Sequence, residues 1–391
     1  MAPFAGPRLG VVTGVTRTST MTEPVLPAAH GPLSTAVRCA LAGPPSIDQF
    51  ARIGASVRES DPYGLDLQLA LSVCYELHYR GFAGVDPAWE WNPALLALRA
   101  ELERVFLAGV RRDVGPIEPD RTAAAEMEAI SVEPVDGTGP SYYLRDTGTW
   151  QQMREYFVHR SLYHLKEGDP HAWAIPRLMG TAKAAFVAVE YDEYGAGQGP
   201  RLHQQLFADL LAAAGLDATY WGYVDAVPAE SLAVVNLMSL FGLHRALRGA
   251  AIGHFASTEI TSPPGSQRMV RALERLQAPA ACVTFYSEHV EAAARRWGIR
   301  QGTLVVAYDD WNRAGSARAW WVLTAAGLDN VRILDGGLGA WRSAGYGLDA
   351  GPVEPVTGNV VVPQDDLYAG RRPTLTAERA GEGTVPLLDA R

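Results

Sequence analysis

The hydrophobic pattern of this chain changes period near Ala293, and that change sets what the chain can fold into. From residue 47 to about residue 294, apolar residues recur at helical spacing with few strand-like alternations. Beyond that point, short apolar runs at residues 303–308 and 331–334 alternate with a helical segment at residues 317–326. Such alternation is typical of a parallel α/β unit. The pattern predicts a mainly α protein: a helical bundle followed by a partial α/β unit.

Composition and charge argue against two classes of function, nucleic-acid binding and membrane association. The 391 residues are 48% hydrophobic and 20% charged, which is ordinary for a globular protein. A net charge of −9 argues against a general nucleic-acid binder, because phosphate contacts need clustered cations. The most apolar stretch, residues 231–243, is too short to span a bilayer and contains Asn236, so it is interpreted as a buried helix. We expect neither a nucleic-acid nor a membrane partner.

The three cysteines are scattered and form no CxxC pair, which argues against a disulfide framework or a cysteine zinc site. They are Cys39, Cys74 and Cys282. A reducing environment fits this usage best, and the sequence therefore predicts a cytoplasmic protein.

The sequence predicts four consecutive segments. Residues 1–45 are expected to be a flexible lead, with Met21 as an alternative start, and residues 46–292 a helical bundle. Residues 293–352 are expected to form the partial α/β unit. Residues 353–391 are expected to be a linker followed by the first strand of a further repeat that is cut short. Within the bundle, Pro263 and Pro264 predict the end of a helix that begins near Ala250.

Four helical segments each place a carboxylate or imidazole among apolar residues. Buried groups of these kinds are costly unless they are paired or bound to a metal. Glu and His side chains from facing helices build di-iron carboxylate sites, and mixed oxygen and nitrogen donors suit iron or manganese. A single such residue is more often solvated or structural, so spacing alone does not establish a metal site. The segments are residues 190–195, 201–203, 257–260 and 285–292.

Residues 74–289 resemble the heme-oxygenase-like di-iron oxidases, a family of iron-containing redox enzymes. The segments that carry the resemblance are CYELHYRGFAGVDPAWEW, AVEYDEYGAGQGPRLHQQLFADLLAAAGLD, HFASTEITSPPGSQRM and FYSEHVEA. The resemblance implies a seven-helix bundle with two irons that activates O2 and acts on a small-molecule substrate. Motif by motif, it implies four iron ligands: Glu193, His203, Glu259 and His289. Glu167 matches a weaker accessory position, and Glu190 is a neighbour that could substitute.

The last core helix departs from the family pattern, which reads His, three residues, Asp, two residues, His. After His289 the chain has Ala293 at the Asp position and Arg296 at the second His position. Alanine has no lone pair to offer, and arginine is a fixed cation. We therefore expect an incomplete site that holds one weakly bound iron, with two irons not expected, and impaired activity. Glu76 and His78 are interpreted as a buried pair outside the site.

From about Ala293 onward, the chain is similar to tandem rhodaneses of the thiosulfate sulfurtransferase type. The matching segments are RRWGIRQGTLVVAYDD, ARAWWVLTAAGLDNVRILDGGLGAWRSAGYGL and VPLLDAR. The similarity implies the latter half of a non-catalytic first repeat, a linker and the opening strand of a second repeat. Rhodanese chemistry needs a cysteine thiolate at a helix N-terminus. The corresponding loop has Asp309 and Asp310 instead, and no cysteine follows Cys282.

Three functions remain open from the sequence. The first is a non-heme iron, O2-dependent oxidoreductase with an incomplete metal site. The second is a rhodanese-like sulfurtransferase module, which the missing cysteine disfavours. The third is a non-catalytic fusion product, because two family patterns meet inside one predicted helix rather than at a linker. An incomplete parallel sheet exposes unpaired backbone groups, so docking on the bundle or formation of a homodimer also stays open.

Overall fold

A computed structural model describes residues 23–46, 50, 53–116, 120–131, 137–308, 314–348 and 358–362. Within these ranges, only the backbone is described for residues 55, 288–293, 295, 296, 314, 315 and 318. The chain divides into two compact units. The first contains Met1–Met127 and Gln151–Thr258, and the second contains Glu128–Trp150 and Glu259–Arg391.

The described part of the first unit is helical. Its α-helices are α1 (Pro32–Leu41), α2 (Gly54–Arg58), α3 (Leu65–Glu76), α4 (Pro93–Val114), most of α5 (Ala123–Ser131) and of α7 (Trp150–His164), α8 (Asp169–Ala172), α9 (Gly180–Glu193), α10 (His203–Ala213), α11 (Ala229–Leu243) and the first part of α12 (Arg248–Arg275). Short 3-10 helices occur at Pro87–Trp91, Ile175–Arg177, Gly195–Gly197, Gly199–Arg201 and Arg245–Leu247.

Helix α3 is the central helix of this unit and packs against α1 and α11. Every residue from Leu67 to Glu76 is buried, as expected of a helix enclosed by other helices. Its polar groups are paired: Ser72 donates to Asn236 Oδ1 at 2.9 Å, and Asn236 Nδ2 donates to the Gln68 carbonyl at 2.8 Å. The expectation that residues 231–243 form a buried helix is confirmed. Across the described ranges, no helix is both long enough and apolar enough to cross a membrane.

Residues 1–45 are expected to be a flexible lead, but ten of them form helix α1 (Pro32–Leu41). The expectation is corrected for these ten residues. Its side chains Leu33 and Val37 are buried, which anchors the segment. The N-terminus is capped from a distance, because the carboxylate of Asp66 accepts from the backbone N–H groups of Leu33 (2.9 Å) and Ser34 (2.8 Å). The capping residue lies 32 positions from Ser34, so the local sequence of the lead gives no sign of it.

The second unit contains a small parallel α/β element. The helices of the second unit are the end of α5, α6 (Pro140–Asp146), the second part of α12, α13 (Ala280–Arg296), α14 (Ala314–Ala325) and α15 (Gly337–Ser343). Strands β1 (Val305–Ala307) and β2 (Val331–Ile333) pair in parallel, with Val305 opposite Val331. Helix α14 connects them and packs on both. The predicted class, mainly α with a smaller α/β unit, is confirmed. Asp309 and Asp310 of the predicted loop, and the strand predicted at the end of residues 353–391, lie outside the described residues.

Helix α12 continues through Pro263 and Pro264, so the prediction that these prolines end a helix was wrong. Each proline removes one backbone donor and costs about 3 kcal/mol in a helix interior. Buried side chains lie on both sides of the prolines: Phe255 before them, and Met269 and Leu273 after them. We attribute the continuous helix to this burial, which offsets the local cost.

Candidate metal centre

Helices α9 and α10 place two of the predicted ligands together. Glu193 is the last residue of α9 and His203 is the first residue of α10. The chain reverses between them through two 3-10 turns. Gly195 has a φ of +63°, and a Cβ there would overlap the backbone of Arg201. A glycine is therefore required at this point to bring the two helix ends together.

Three side-chain donors converge at this point, from Glu167, Glu193 and His203. Oε2 of Glu193 lies 2.6 Å from Nδ1 of His203, and Oε2 of Glu167 lies 4.0 Å from the same nitrogen. The donor atoms of the three residues all lie within 4.8 Å of one another, and all three side chains are buried. This set is called the Glu–Glu–His cluster. Two buried carboxylates so close together require a proton or a cation between them.

Two polar neighbours, His164 and Gln204, contact Glu167 of the cluster. Nδ1 of His164 lies 3.0 Å from Oε2 of Glu167, one turn earlier in the chain. Burial lowers the pKa of His164, and the nearby Glu167 carboxylate opposes that shift. Nε2 of Gln204 donates to the backbone carbonyl of Glu167 at 3.1 Å. These contacts fix the position of Glu167 relative to His203 before any ion binds.

The donor chemistry of the cluster fits an iron ion. Two carboxylates and one imidazole form the mixed oxygen and nitrogen set that suits iron and manganese in helical carboxylate proteins. Oε2 of Glu193 is buried, and its close neighbour is Nδ1 of His203, itself a metal-donor atom. A buried carboxylate oxygen in that state is costly unless it binds a cation.

The four residues predicted as ligands fall into two pairs. Glu193 and His203 lie together in the first unit, whereas Glu259 and His289 belong to the second. Glu259 is half-buried on α12, and the side chain of His289 lies outside the described residues. The assignment of all four residues as ligands stays a prediction.

Glu167, predicted only as an accessory carboxylate, is the third member of the cluster. It comes just before Gly168, which has a φ of +88° and directly precedes α8. Glu190 lies beside the same turn, since a Cβ at Gly168 would sit 3.4 Å from its Oε2. Glu167 lies in the turn that follows α7, so helical spacing gave no signal for this third donor.

Glu76 and His78 are buried in separate networks rather than bonded as a pair. The Glu76 carboxylate lies 2.8 Å from Lys166 Nζ and accepts from the hydroxyl of Tyr220 at 2.9 Å. Nδ1 of His78 lies 3.2 Å from Oε1 of Glu90. Neither residue is among the three donors of the cluster.

Comparison with known families agrees with both halves of this description. Residues 154–295 match the iron-containing redox enzymes, and residues 265–344 match the rhodanese-like domain. The chain therefore carries a heme-oxygenase-like, iron-containing redox enzyme domain followed by a rhodanese-like region, which confirms both resemblances. Together with the Glu–Glu–His cluster, the first match points to iron as the metal.

The individual relatives described next are named as sulfurtransferases. SseB of Mycobacterium tuberculosis, named as a thiosulfate sulfurtransferase, is 69% identical over 102 residues, covering 26% of this chain and 36% of that protein. The 3-mercaptopyruvate sulfurtransferase of Escherichia coli is 30% identical over 110 residues, or 27% of this chain and 37% of that protein. Thiosulfate/3-mercaptopyruvate sulfurtransferase 2 of Arabidopsis thaliana is 38% identical over 63 residues, or 16% of this chain and 18% of that protein. The chain spans about a third of the length of the first of these relatives.

Proposed function

We propose that this chain is a non-heme iron oxidoreductase that uses O2 to oxidise a small-molecule substrate. The observation that carries the proposal is the convergence of Glu167, Glu193 and His203, all buried and all within 4.8 Å of one another. The match of residues 154–295 to iron-containing redox enzymes supports the class. Bound iron would supply the activation of O2, which protein side chains alone do not provide.

The chain's own residues hold and orient the metal. Glu167 and Glu193 neutralise the ion's charge, and His203 adds a neutral nitrogen donor. His164 fixes the Glu167 carboxylate through its contact at 3.0 Å. At the sequence positions where the resemblance implies two further ligands, the chain has Ala293 and Arg296. We therefore propose that one iron binds weakly and that oxidation is slower than in enzymes with a complete ligand set.

An anaerobic titration of the full chain with Fe(II), followed by admission of O2, tests the proposal. We expect one Fe(II) per chain and a change in absorbance that depends on O2. Glu193→Gln should weaken Fe(II) binding by at least about 10–100-fold, because it removes a donor. Glu155→Gln, at an exposed position on α7, is the matched control and should bind as the unmodified chain does.

Two results would contradict the proposal. Fe(II) binding to the Glu193→Gln variant with unchanged affinity would mean that the cluster is not the metal site. Metal analysis that finds two tightly bound irons per chain would refute the single-iron part, leaving the assignment to iron chemistry in place.

A further inference from the structure

Two imidazoles lie close together in the first unit, apart from the Glu–Glu–His cluster. His171, on α8, and His254, in the first part of α12, have ring centres 6.0 Å apart. His171 is 3% exposed, and neither of its ring nitrogens has a hydrogen-bond partner in the described part of the chain. Nδ1 of His254 is also buried and has no partner among the described residues. The two residues are called the His171–His254 pair.

The pair differs from other histidines of the first unit in what it contacts. Four of them each lie 2.6–3.2 Å from a carboxylate oxygen: His78, His164, His203 and His244. The ion pairs between described residues include none for His171 or His254. Buried ring nitrogens without a partner are costly, and a metal ion bound between the two rings would remove that cost.

The separation of the rings fits one shared ion. Metal–imidazole bonds are about 2.0–2.1 Å long, so an ion held by two imidazoles puts their ring centres about 5–6.3 Å apart, depending on the angle at the ion. The observed 6.0 Å corresponds to a wide angle, as expected of an ion with few ligands. Burial lowers the pKa of both imidazoles, which favours the neutral form that ligates metals.

The surroundings of the pair favour a singly charged ion. The ring centre of Phe255 lies 4.5 Å from that of His171, and the ring centre of Phe241 lies 6.4 Å from that of His254. Two neutral imidazoles bring no negative charge, and the cost of burying an ion rises with its charge. His254 is half-buried and Gly253 beside it is exposed, so an ion can enter from this side.

We propose that the His171–His254 pair binds one Cu(I) ion, with one ring nitrogen of each residue as a ligand. Imidazole suits zinc, copper, iron and nickel, and Cu(I) supplies the single charge that this setting favours. Among the described residues, no third histidine, cysteine or carboxylate forms a three-donor group with the pair. Divalent ions are better matched by the carboxylates of the Glu–Glu–His cluster, so the two sites should select different metals. The inference goes beyond the proposed iron chemistry and does not depend on it.

Anaerobic titration of the full chain with Cu(I), in competition with the chromogenic chelator bicinchoninate, tests the inference. The Cys39→Ser variant is used throughout, because the exposed thiol of Cys39 is another soft donor for Cu(I). We expect one Cu(I) per chain, an X-ray absorption spectrum with nitrogen and no sulfur neighbours, and a raised Tm. An absence of Cu(I) binding, or sulfur bound to the ion, would overturn the inference.

Variants assign the two ligands. His171→Leu and His254→Leu should each weaken Cu(I) binding by at least about 10–100-fold, because losing a ligand costs no less than losing an outer partner. Leucine suits the apolar setting, and His30→Leu at an exposed position is the matched control that should bind Cu(I) unchanged. If His171→Leu fails to fold, His254→Leu alone decides, and unchanged Cu(I) affinity in that variant refutes the inference.

Cu(I) binding and Fe(II) binding are separable in this design. Glu193→Gln should weaken Fe(II) binding yet bind Cu(I) as before, because it leaves the His171–His254 pair in place. A loss of Cu(I) in Glu193→Gln would place Cu(I) in the Glu–Glu–His cluster and overturn the inference. Should the unmodified chain bind Cu(I) at the pair but no Fe(II), the proposed function fails and this inference stands.

Discussion

Lys166 and Glu76 form an ion pair inside the first unit. Their side chains are 3% and 0% exposed, and Nζ lies 2.8 Å from Oε2. The Tyr220 hydroxyl donates to the same carboxylate, and the Lys166 ammonium lies 3.7 Å from the centre of the Tyr79 ring. Each charge therefore has its partner in place, which is what makes a buried pair tolerable.

Removing one member of this pair should be strongly destabilising. We expect Lys166→Met to lower the free energy of unfolding by about 3–5 kcal/mol, because it leaves the Glu76 carboxylate buried without a counter-charge. The double variant Lys166→Met, Glu76→Gln should lose less than the sum of the two single changes. Urea denaturation measures all three. Arg104→Met at an exposed pair is the control and should cost only about 0–1 kcal/mol.

His171 is a buried imidazole in an apolar setting. Its ring centre lies 4.5 Å from that of Phe255, and neither of its nitrogens has a hydrogen-bond partner in the described part of the chain. Burial lowers its pKa from 6.5 to about 4, and the neighbouring His254 adds to the shift while Glu167 opposes it. Between about pH 4 and pH 6.5, His171 is therefore neutral in the native state, whereas it is protonated in the unfolded chain.

This difference predicts a loss of stability in mild acid. Above about pH 6.5 both states are neutral at His171 and the full stability is present. As the pH falls from about 6.5 to about 4, protonation of the unfolded chain should remove about 3 kcal/mol. His171→Leu should flatten this part of the profile in denaturant titrations, whereas His30→Leu at an exposed position should not. An unchanged slope in His171→Leu would assign the acid sensitivity elsewhere.

At the scale of elements, the connection between α9 and α10 sets the geometry of the cluster. We expect Gly195→Ala to lower stability by about 2 kcal/mol or more and to weaken Fe(II) binding, because its φ is positive and a Cβ meets the Arg201 backbone. Gly199→Ala is the matched control in the same connection, since a Cβ there has open space. Thermal melts and Fe(II) titrations compare the two, and equal behaviour would show that the turn does not constrain the site.

The sequence predicted those elements whose signals are local. Hydrophobic period identified α11 and the two strands. Matching motifs predicted Glu193 and His203 as ligands; the structure places their side chains together, and their role as ligands stays a prediction. The sequence did not predict contacts between distant residues. Asp66, for example, caps α1 although it lies 32 positions from Ser34. Pro263 was misjudged for the same reason, since the side chains buried before and after the prolines outweigh a local preference.

At the scale of the whole molecule, the two family matches overlap at residues 265–295. This stretch includes the end of α12 and nearly all of α13. The junction predicted near Ala293 falls inside the overlap, within the helix α13. Helix α13 therefore belongs almost entirely to both matched regions. The precise domain boundaries stay a prediction.

Despite its rhodanese-like region, we expect the chain to lack thiosulfate:cyanide sulfurtransferase activity. Persulfide chemistry needs a thiolate, and the sequence has no cysteine after Cys282. Cys282 itself is buried in α13, and burial raises the pKa of its thiol to about 11. A thiocyanate assay with the Escherichia coli 3-mercaptopyruvate sulfurtransferase alongside checks this. Turnover by this chain above the uncatalysed rate would contradict it.

The ion pair of Lys166 also determines how the protein responds to chemical labelling. The sequence contains two lysines, Lys166 and Lys183, and the other residues counted among its Lys and Arg are all arginine. In the folded first unit, Lys166 is shielded by Glu76, whereas Lys183 lies near the surface of α9. An amine-reactive reagent should therefore modify Lys183 and the α-amino group in the native protein and reach Lys166 only when the unit opens. A label located on Lys166 by peptide mapping would report opening of the core directly, without any engineered probe.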